Sequence, residues 1–415
     1  MLTKDSKIAV IGGGLSGLVI ASGLVKKGYK NVTVLERENR LGGKLHTIWY
    51  KGNSYELGGI FGLPVQKNLK NLMKEFNIKI DGPNLSRVNY DRNGNKIMQI
   101  PKAELGNFLE EVDRLPEVLE EYKSLGDISI RNIEEGLMLP FSSWCDLHKF
   151  RVIKKIYTHH YTSYGLGDID TVPALYVLRI LNFDAAMSFM EFPEYLTWKH
   201  GVSSFIERIG QTLGDLRLGH KVNKISFDGK VMVHTQFGEL EFDGIIITAP
   251  IEQFPRVFHD RDNDLKELLK HIKYQDYNVY AFAVDKLLKG SGCILENLDK
   301  KNKGHILIWN SRWDTDNESL LTVYAYNQPG SSRAEALKII KEDLLRLGIK
   351  NPRLHQFKSW RQCPYVEPEG LKEGFYDKME AIQGRENVYI AGEIMSTATM
   401  EKCIRYSKYL LNKYF

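Results

Sequence analysis

Residues 7–46, KIAVIGGGLSGLVIASGLVKKGYKNVTVLERENRLGGKLH, hold the pattern that decides the fold. A short apolar strand, Lys7 to Ile11, runs into Gly12-x-Gly14-x-x-Gly17. An amphipathic helix is predicted from there to about Lys27, followed by a strand, Val32 to Leu35, that ends in Glu36. This is the dinucleotide-binding βαβ unit. Its first glycine allows a tight turn, the second a close approach of backbone to pyrophosphate, and the third close packing of helix on strand. The amides of Leu15 and Ser16 open the helix, where unpaired N–H groups and the helix dipole favour an anion. Glu36, nineteen residues after Gly17, is placed to accept from a ribose hydroxyl, with Arg37 beside it. A carboxylate there favours an unphosphorylated ribose over NADP.

Working outward, Arg40-Leu41-Gly42-Gly43-Lys44 adds a second glycine pair and a cation, and Glu56-Leu57-Gly58-Gly59 follows. Near the other end, Asn387 to Glu393 (NVYIAGE) reads as a strand and turn, with a helix from about Met400. These segments together resemble the flavin amine oxidoreductase superfamily, which includes amine oxidases, protoporphyrinogen oxidases and carotenoid desaturases. The resemblance implies FAD rather than NAD. It implies that Gly43, Lys44, Gly58 and Gly59 lie against the ribityl chain and flavin, that Glu393 after Gly392 contacts the ribityl or pyrophosphate region, and that the helix at Met400 points at the flavin O2. A middle segment fits the same pattern: a helix Gly201 to Leu213, a hairpin Lys221–Phe227 and Lys230–Thr235 around Asp228-Gly229, and a buried strand Gly244–Thr248 before Ala249-Pro250. There the superfamily's adenine meets the position of Val222.

The implied fold is α/β: an FAD-binding Rossmann-like domain of the amine oxidase and glutathione reductase type with a substrate domain inserted. The FAD domain is expected in three pieces, 1–77, 196–264 and 361–415. The inserts are 78–195, largely helical (Lys102 to Lys123 and a proline-started Pro173 to Leu181), and 265–360, mixed α/β. The second carries strands at Tyr277–Val284, His305–Asn310 and Leu320–Asn327 and a helix Ser332–Leu347.

With 415 residues the chain exceeds a single core, in keeping with two domains. An apolar share of 43% against 26% charged residues is ordinary for a globular protein. The net charge of +5 is too small and dispersed for a nucleic-acid binder, and no recognition motif suggests one. The 4 cysteines are far apart, without metal-ligand spacing, and read as reduced thiols; no metal is expected. Cys363 falls near the expected flavin, but the superfamily's covalent cysteine lies elsewhere, so FAD is expected to be noncovalent. No apolar run reaches the roughly 20 residues that span a bilayer, and the N-terminal apolar run is the glycine-broken strand rather than a leader. A cytoplasmic protein is expected. The basic amphipathic segment Met400 to Tyr414 raises transient contact with a membrane surface, although packing against the sheet is the preferred reading.

Flavin binding leaves the reaction open. Amine oxidases stand two aromatics over the flavin. Trp360 to Tyr365 (WRQCPY) matches the segment that supplies one, but Thr399 occupies the place of the other. The inserts resemble a narrower group. Asp81 to Arg87 (DGPNLSR), Leu137 to Phe141 (LMLPF), Tyr164-Gly165 with Val172-Pro173-Ala174, Met187-Ser188-Phe189, Gly392 to Ser396 (GEIMS) and Tyr406-Ser407-Lys408 are similar, in order, to the bacterial polyenoic fatty acid isomerases that form conjugated linoleic acid. That resemblance implies a free polyunsaturated fatty acid such as linoleate, its carboxylate held by Arg87 beside a gating aromatic at Tyr164, where the family has phenylalanine. Hydride abstraction and return at flavin N5 would then need no acid–base constellation. Phe189, Phe192 and Trp198 are the aromatics offered to stabilise the cation so formed. The alternatives are an FAD-dependent oxidase or desaturase acting on an amine or lipid, or an idle flavin-binding protein.

Overall fold

The computed structural model describes residues 2–98, 100–190, 194–258, 262–288, 290–313 and 318–415. Its nucleotide-binding half is organised by a five-stranded parallel sheet. Strand β1 (Lys7–Ile11) lies at the centre, with β2 (Asn31–Leu35) and then Asp215–Arg217 on one side, and Gly244–Ile247 and then Val388–Ile390 on the other. Four of five residues in β1 are buried, and so is every residue of Gly244–Ile247. That is the continuous apolar run expected of a parallel strand covered on both faces. Helix α1 (Leu15–Lys26) packs against the C-terminal helix Met400–Tyr414 so closely that a Cβ on Gly23 would sit 2.3 Å from Leu411. The basic C-terminal helix therefore uses its apolar side on the sheet's own helix layer, burying Ile404, Leu410 and Leu411.

A three-stranded antiparallel sheet, Val222–Asp228, Lys230–Thr235 and Gly238–Phe242, follows the hairpin expected around Gly229. The third sheet has seven strands. In order they are Arg353–Val366, Ile272–Val284, Ser319–Tyr326, Ile308–Asn310, Ser291–Ile294, Arg87–Tyr90 and Lys96–Ile97. Two of them, Arg87–Tyr90 and Lys96–Ile97, come from the insert read as largely helical. The first pairs in parallel with Ser291–Ile294, so both inserts contribute to one sheet.

Two local expectations shift, and one segment gains a structure the sequence left open. The helix expected over Lys102 to Lys123 begins as a 3-10 turn, Lys102–Glu104, before Leu105–Glu120, and keeps Pro116 inside it. Pro173 caps rather than starts its helix, which runs Ala174–Ile180; the extended ψ of 144° at Pro173 bridges it to Pro140. The WRQCPY segment lies within a 14-residue strand, Arg353–Val366, bulged where Cys363 and Pro364 face Tyr274. Cys363 takes φ +51° there, and a proline, with no N–H for the ladder, fits a bulge.

Candidate functional site

The glycine turn after β1 is built by close contacts that only glycine permits. Gly12 has φ +110°, and a Cβ on Gly17 would lie 2.0 Å from the Gly12 carbonyl oxygen. By contrast, nothing lies within 4 Å of the Cβ position at Gly14, so that backbone faces open space at the mouth of α1. Helix α1 has no side-chain cap and no acid in its first turn, so its first amides are left for a ligand. Glu36 is 6% exposed and spans the turn: Oε2 accepts from the Gly13 amide at 2.6 Å and Oε1 from the Glu38 amide at 2.8 Å. This carboxylate thus orders the phosphate turn as well as facing the cavity.

From this turn a cavity of about 620 Å³ extends into the sheet-rich half. At the α1 end its wall includes Gly12, Gly14, Leu15, Ser16, Glu36, Arg37 and Val222. Gly43, Lys44, Gly58, Gly59, Gly392, Glu393 and Met400 continue it. Lys44 and Glu393 form an ion pair across it, tying segments 349 residues apart in sequence. Thr399 caps the helix at Met400 by accepting from the Lys402 amide at 3.2 Å. Of the expected cofactor contacts only Gly17 is absent from the wall, because it packs against Gly12 behind the turn. A dinucleotide's shape fits this half on three structural grounds: the open Gly14, the uncapped helix, and the buried Glu36.

The far half is apolar and aromatic, walled by Phe61, Leu166, Ile180, Leu181, Tyr277 and Tyr324. Trp360 reaches the wall with its indole N–H donating to the Leu57 carbonyl at 2.6 Å, and Thr399 is in the wall too. Tyr365 is not; its ring lies edge-on to Tyr176, 6.1 Å away. Cys363 lines the wall as a buried thiol whose pKa burial pushes up to about 12, which leaves it protonated and a poor nucleophile.

The two residues expected at a carboxylate are brought together. Tyr164 lines the cavity, with its ring edge-on to Phe61 at 5.3 Å. Arg87 lies behind it and is not in the wall. Its guanidinium is 5.4 Å from the Tyr164 ring centroid and donates to the Tyr164 hydroxyl at 3.3 Å and to Nδ1 of His160 at 2.9 Å. It also donates to the His159 carbonyl at 2.9 Å, at the end of helix Val152–Tyr161, where the dipole favours a cation. Among the described residues no carboxylate lies within 4 Å of it. His160, which sequence reasoning passed over, is 2% exposed and lines the cavity. Burial first, then the charge of Arg87, holds its pKa well below the usual histidine value.

Trp198 is not a cavity aromatic. It is 1% exposed and packs on Phe205, 4.9 Å away, in the core under helix Val202–Gly210. The Phe189 side chain and Phe192 lie outside the described residues. Among the described residues no cluster of three metal-ligating side chains occurs, and no helix is long and apolar enough to cross a membrane.

Three comparisons bear on this site. The pattern described as flavin containing amine oxidoreductase matches residues 15–408. The crystal structure of the CLA-producing fatty acid isomerase from P. acnes superposes with a TM-score of 0.93, at 30% identity, over 100% of both chains. Among curated proteins, the polyenoic fatty acid isomerase of Ptilota filicina is 23% identical over 202 residues, and the tryptophan 2-monooxygenase of Allorhizobium ampelinum 50% identical over 50 residues. These matches cover 42% and 12% of this chain, and they span 40% and 7% of those proteins' own lengths.

Proposed function

Because the chain belongs to the flavin containing amine oxidoreductase family and its cofactor is FAD, we propose that it moves a double bond in a free polyunsaturated fatty acid, yielding a conjugated diene of unchanged mass. The observation that carries this reading is a cation, Arg87, without a carboxylate partner among the described residues, set behind the aromatic end of a largely apolar cavity. A chain with one anionic end and an apolar body matches that distribution. The P. acnes isomerase, alike over the whole chain, supports the same class.

Gly12, Gly14, Leu15, Ser16 and Glu36 would hold the dinucleotide, Val222 its adenine end, and Lys44 with Glu393 its middle. Bound FAD supplies two-electron chemistry, the taking of a hydride from a doubly allylic methylene and its return to the same molecule. The chain's own residues position and exclude. The apolar wall at Leu166, Ile180 and Leu181 keeps water from the hydrocarbon and limits how far it can slide. The positive charge of Arg87, with Tyr164 in front of it, fixes the acid end. The cavity needs no side-chain acid or base, because product and substrate differ only in where one hydrogen sits.

The test is to incubate the purified holoprotein with linoleate in air and under argon. Conjugated-diene absorbance should grow equally in both, without peroxide, and deuterium at the doubly allylic carbon should slow it. Stoichiometric peroxide, or a product lighter by two hydrogens, would assign the oxidase or desaturase chemistry instead.

A further inference from the structure

The guanidinium of Arg87 is held by the protein itself. Beyond its bonds to His160, Tyr164 and the His159 carbonyl, it reaches the Asn89 side chain at 3.5 Å, Ser163 Oγ at 3.4 Å and Cys293 Sγ at 3.6 Å. Its charge acts across the wall from behind. A carboxylate inside the cavity also needs a donor that reaches it directly, because an anion taken out of water without hydrogen bonds is costly. The tyrosines of the wall are Tyr164, Tyr274, Tyr277 and Tyr324. Tyr274 donates to Glu252 at 3.0 Å, Tyr324 donates to the Glu56 carbonyl at 2.8 Å, and Tyr164 accepts from Arg87. Tyr277 differs from all three. It is 4% exposed, and its hydroxyl makes no hydrogen bond among the described residues. A buried hydroxyl without a partner is costly, and the cavity it lines is where an acceptor can reach it.

The ring that carries this hydroxyl is fixed in place. Tyr324 stacks on it with centroids 5.7 Å apart, and the Tyr326 ring lies at 6.0 Å. Gly165, the residue after Tyr164, packs against it so closely that a Cβ there would come within 2.3 Å of Tyr277 Cε2 and 2.5 Å of Cζ, the carbon bearing the hydroxyl. The hydroxyl is therefore held beside the Tyr164 turn, at the end of the cavity that Arg87 backs. Burial pushes the Tyr277 pKa well above the ordinary phenol value, so the group keeps its proton and remains a donor.

A free fatty acid has one hydrogen-bonding group, its carboxylate, which when ionised only accepts. Resting on the fatty-acid reading above, we propose that the Tyr277 hydroxyl is the hydrogen-bond donor that receives the substrate's carboxylate, with Arg87 supplying positive potential from behind the wall. A head group anchored on a fixed hydroxyl also sets how far along the cavity each double bond lies, and so which methylene is presented for reaction.

The test uses the holoenzyme and Tyr277→Phe, which removes the hydroxyl and keeps the stacked ring, with FAD content checked first. Binding is read with oleate, which has no doubly allylic methylene to react, by the change it causes in flavin absorbance. Tyr277→Phe should raise the Kd of oleate and the KM of linoleate roughly 10- to 150-fold, as expected for losing a bond to a charged group. With methyl linoleate, a neutral acceptor, the rise in KM should shrink to roughly 2- to 10-fold. The turnover number kcat should stay within about threefold, the signature of lost binding rather than lost chemistry. An unchanged Kd for oleate would overturn the proposal, whether or not kcat falls. So would a flavin spectrum already displaced in ligand-free Tyr277→Phe, which would place the hydroxyl on the cofactor. A wild type that binds neither oleate nor linoleate would instead remove the fatty-acid reading, and this inference with it.

Discussion

Glu36 illustrates how one side chain serves two neighbours. Its two oxygens accept from the Gly13 and Glu38 amides, so it shapes the glycine turn before any ligand arrives. Glu36→Ala should leave both amides without their acceptor and weaken FAD binding by about 1.5–3 kcal/mol, roughly 10- to 150-fold in Kd. Flavin fluorescence on dilution of the holoprotein measures this directly; unchanged retention would mean the carboxylate orders nothing. Gly12, Gly14, Gly17 and Glu36 were legible because their chemistry is local: a fixed spacing forces a turn and a helix start. Arg87 and Tyr164 were reached only by resemblance. His160 was not reached at all, since its meaning comes from Arg87, 73 residues away in sequence. Nothing in the run His159-His160-Tyr161 distinguishes it from a helix end.

Elements were legible where one periodicity ruled. The strands and helix of residues 7–35 fall where the apolar runs place them. So does the helix Arg333–Arg346, opened by a capping box in which Ser332 and Glu335 exchange hydrogen bonds. Ser332→Ala should cost about 1 kcal/mol of stability and leave FAD content and turnover untouched, because this helix takes no part in the cavity wall; a denaturant titration with parallel flavin absorbance checks both. The strand Arg353–Val366 was hidden for a physical reason. One face meets solvent, so charged and apolar residues are interleaved, and the bulge at Cys363-Pro364 breaks the alternation near the strand's end. Arg87–Tyr90 was hidden differently: four residues have no period of their own, and their partner strand lies about 200 residues further on.

Among the described residues, burial lowers the pKa of four histidines, His148 among them, and holds three of the four furthest down. His46 and His159 are pulled down to about 4, desolvation leading and nearby Arg40 or Arg87 adding to it, and His160 lies well below its usual value. The unfolded chain binds these protons near pH 6.5 while the fold refuses them. The fold's advantage is therefore complete above pH 6.5 and is lost as pH falls toward 4. Each such histidine steepens the loss by up to about 1.4 kcal/mol per pH unit. Urea titrations at pH 7, 6 and 5 should show stability falling with acid, and His46→Gln should make the fall shallower by that amount. Equal slopes for wild type and variant would mean His46 titrates normally in the fold.

The parallel order of the nucleotide sheet carries a consequence for how the protein comes into being. Strand β1 is made well before its neighbour Gly244–Ile247, and the Val388–Ile390 strand beyond that arrives later still. At ribosomal speeds of about 5–20 residues per second, roughly 20–75 s separate β1 from the strand Val388–Ile390. Throughout that interval an apolar strand has an open edge, the liability that sheets otherwise cover. Contacts of such long sequence separation also slow the search for the native pairing. The glycine turn, the most local and most readable part of this chain, is therefore among the last parts to become a site, and cofactor loading is a late event that rewards only chains already folded through residue 390.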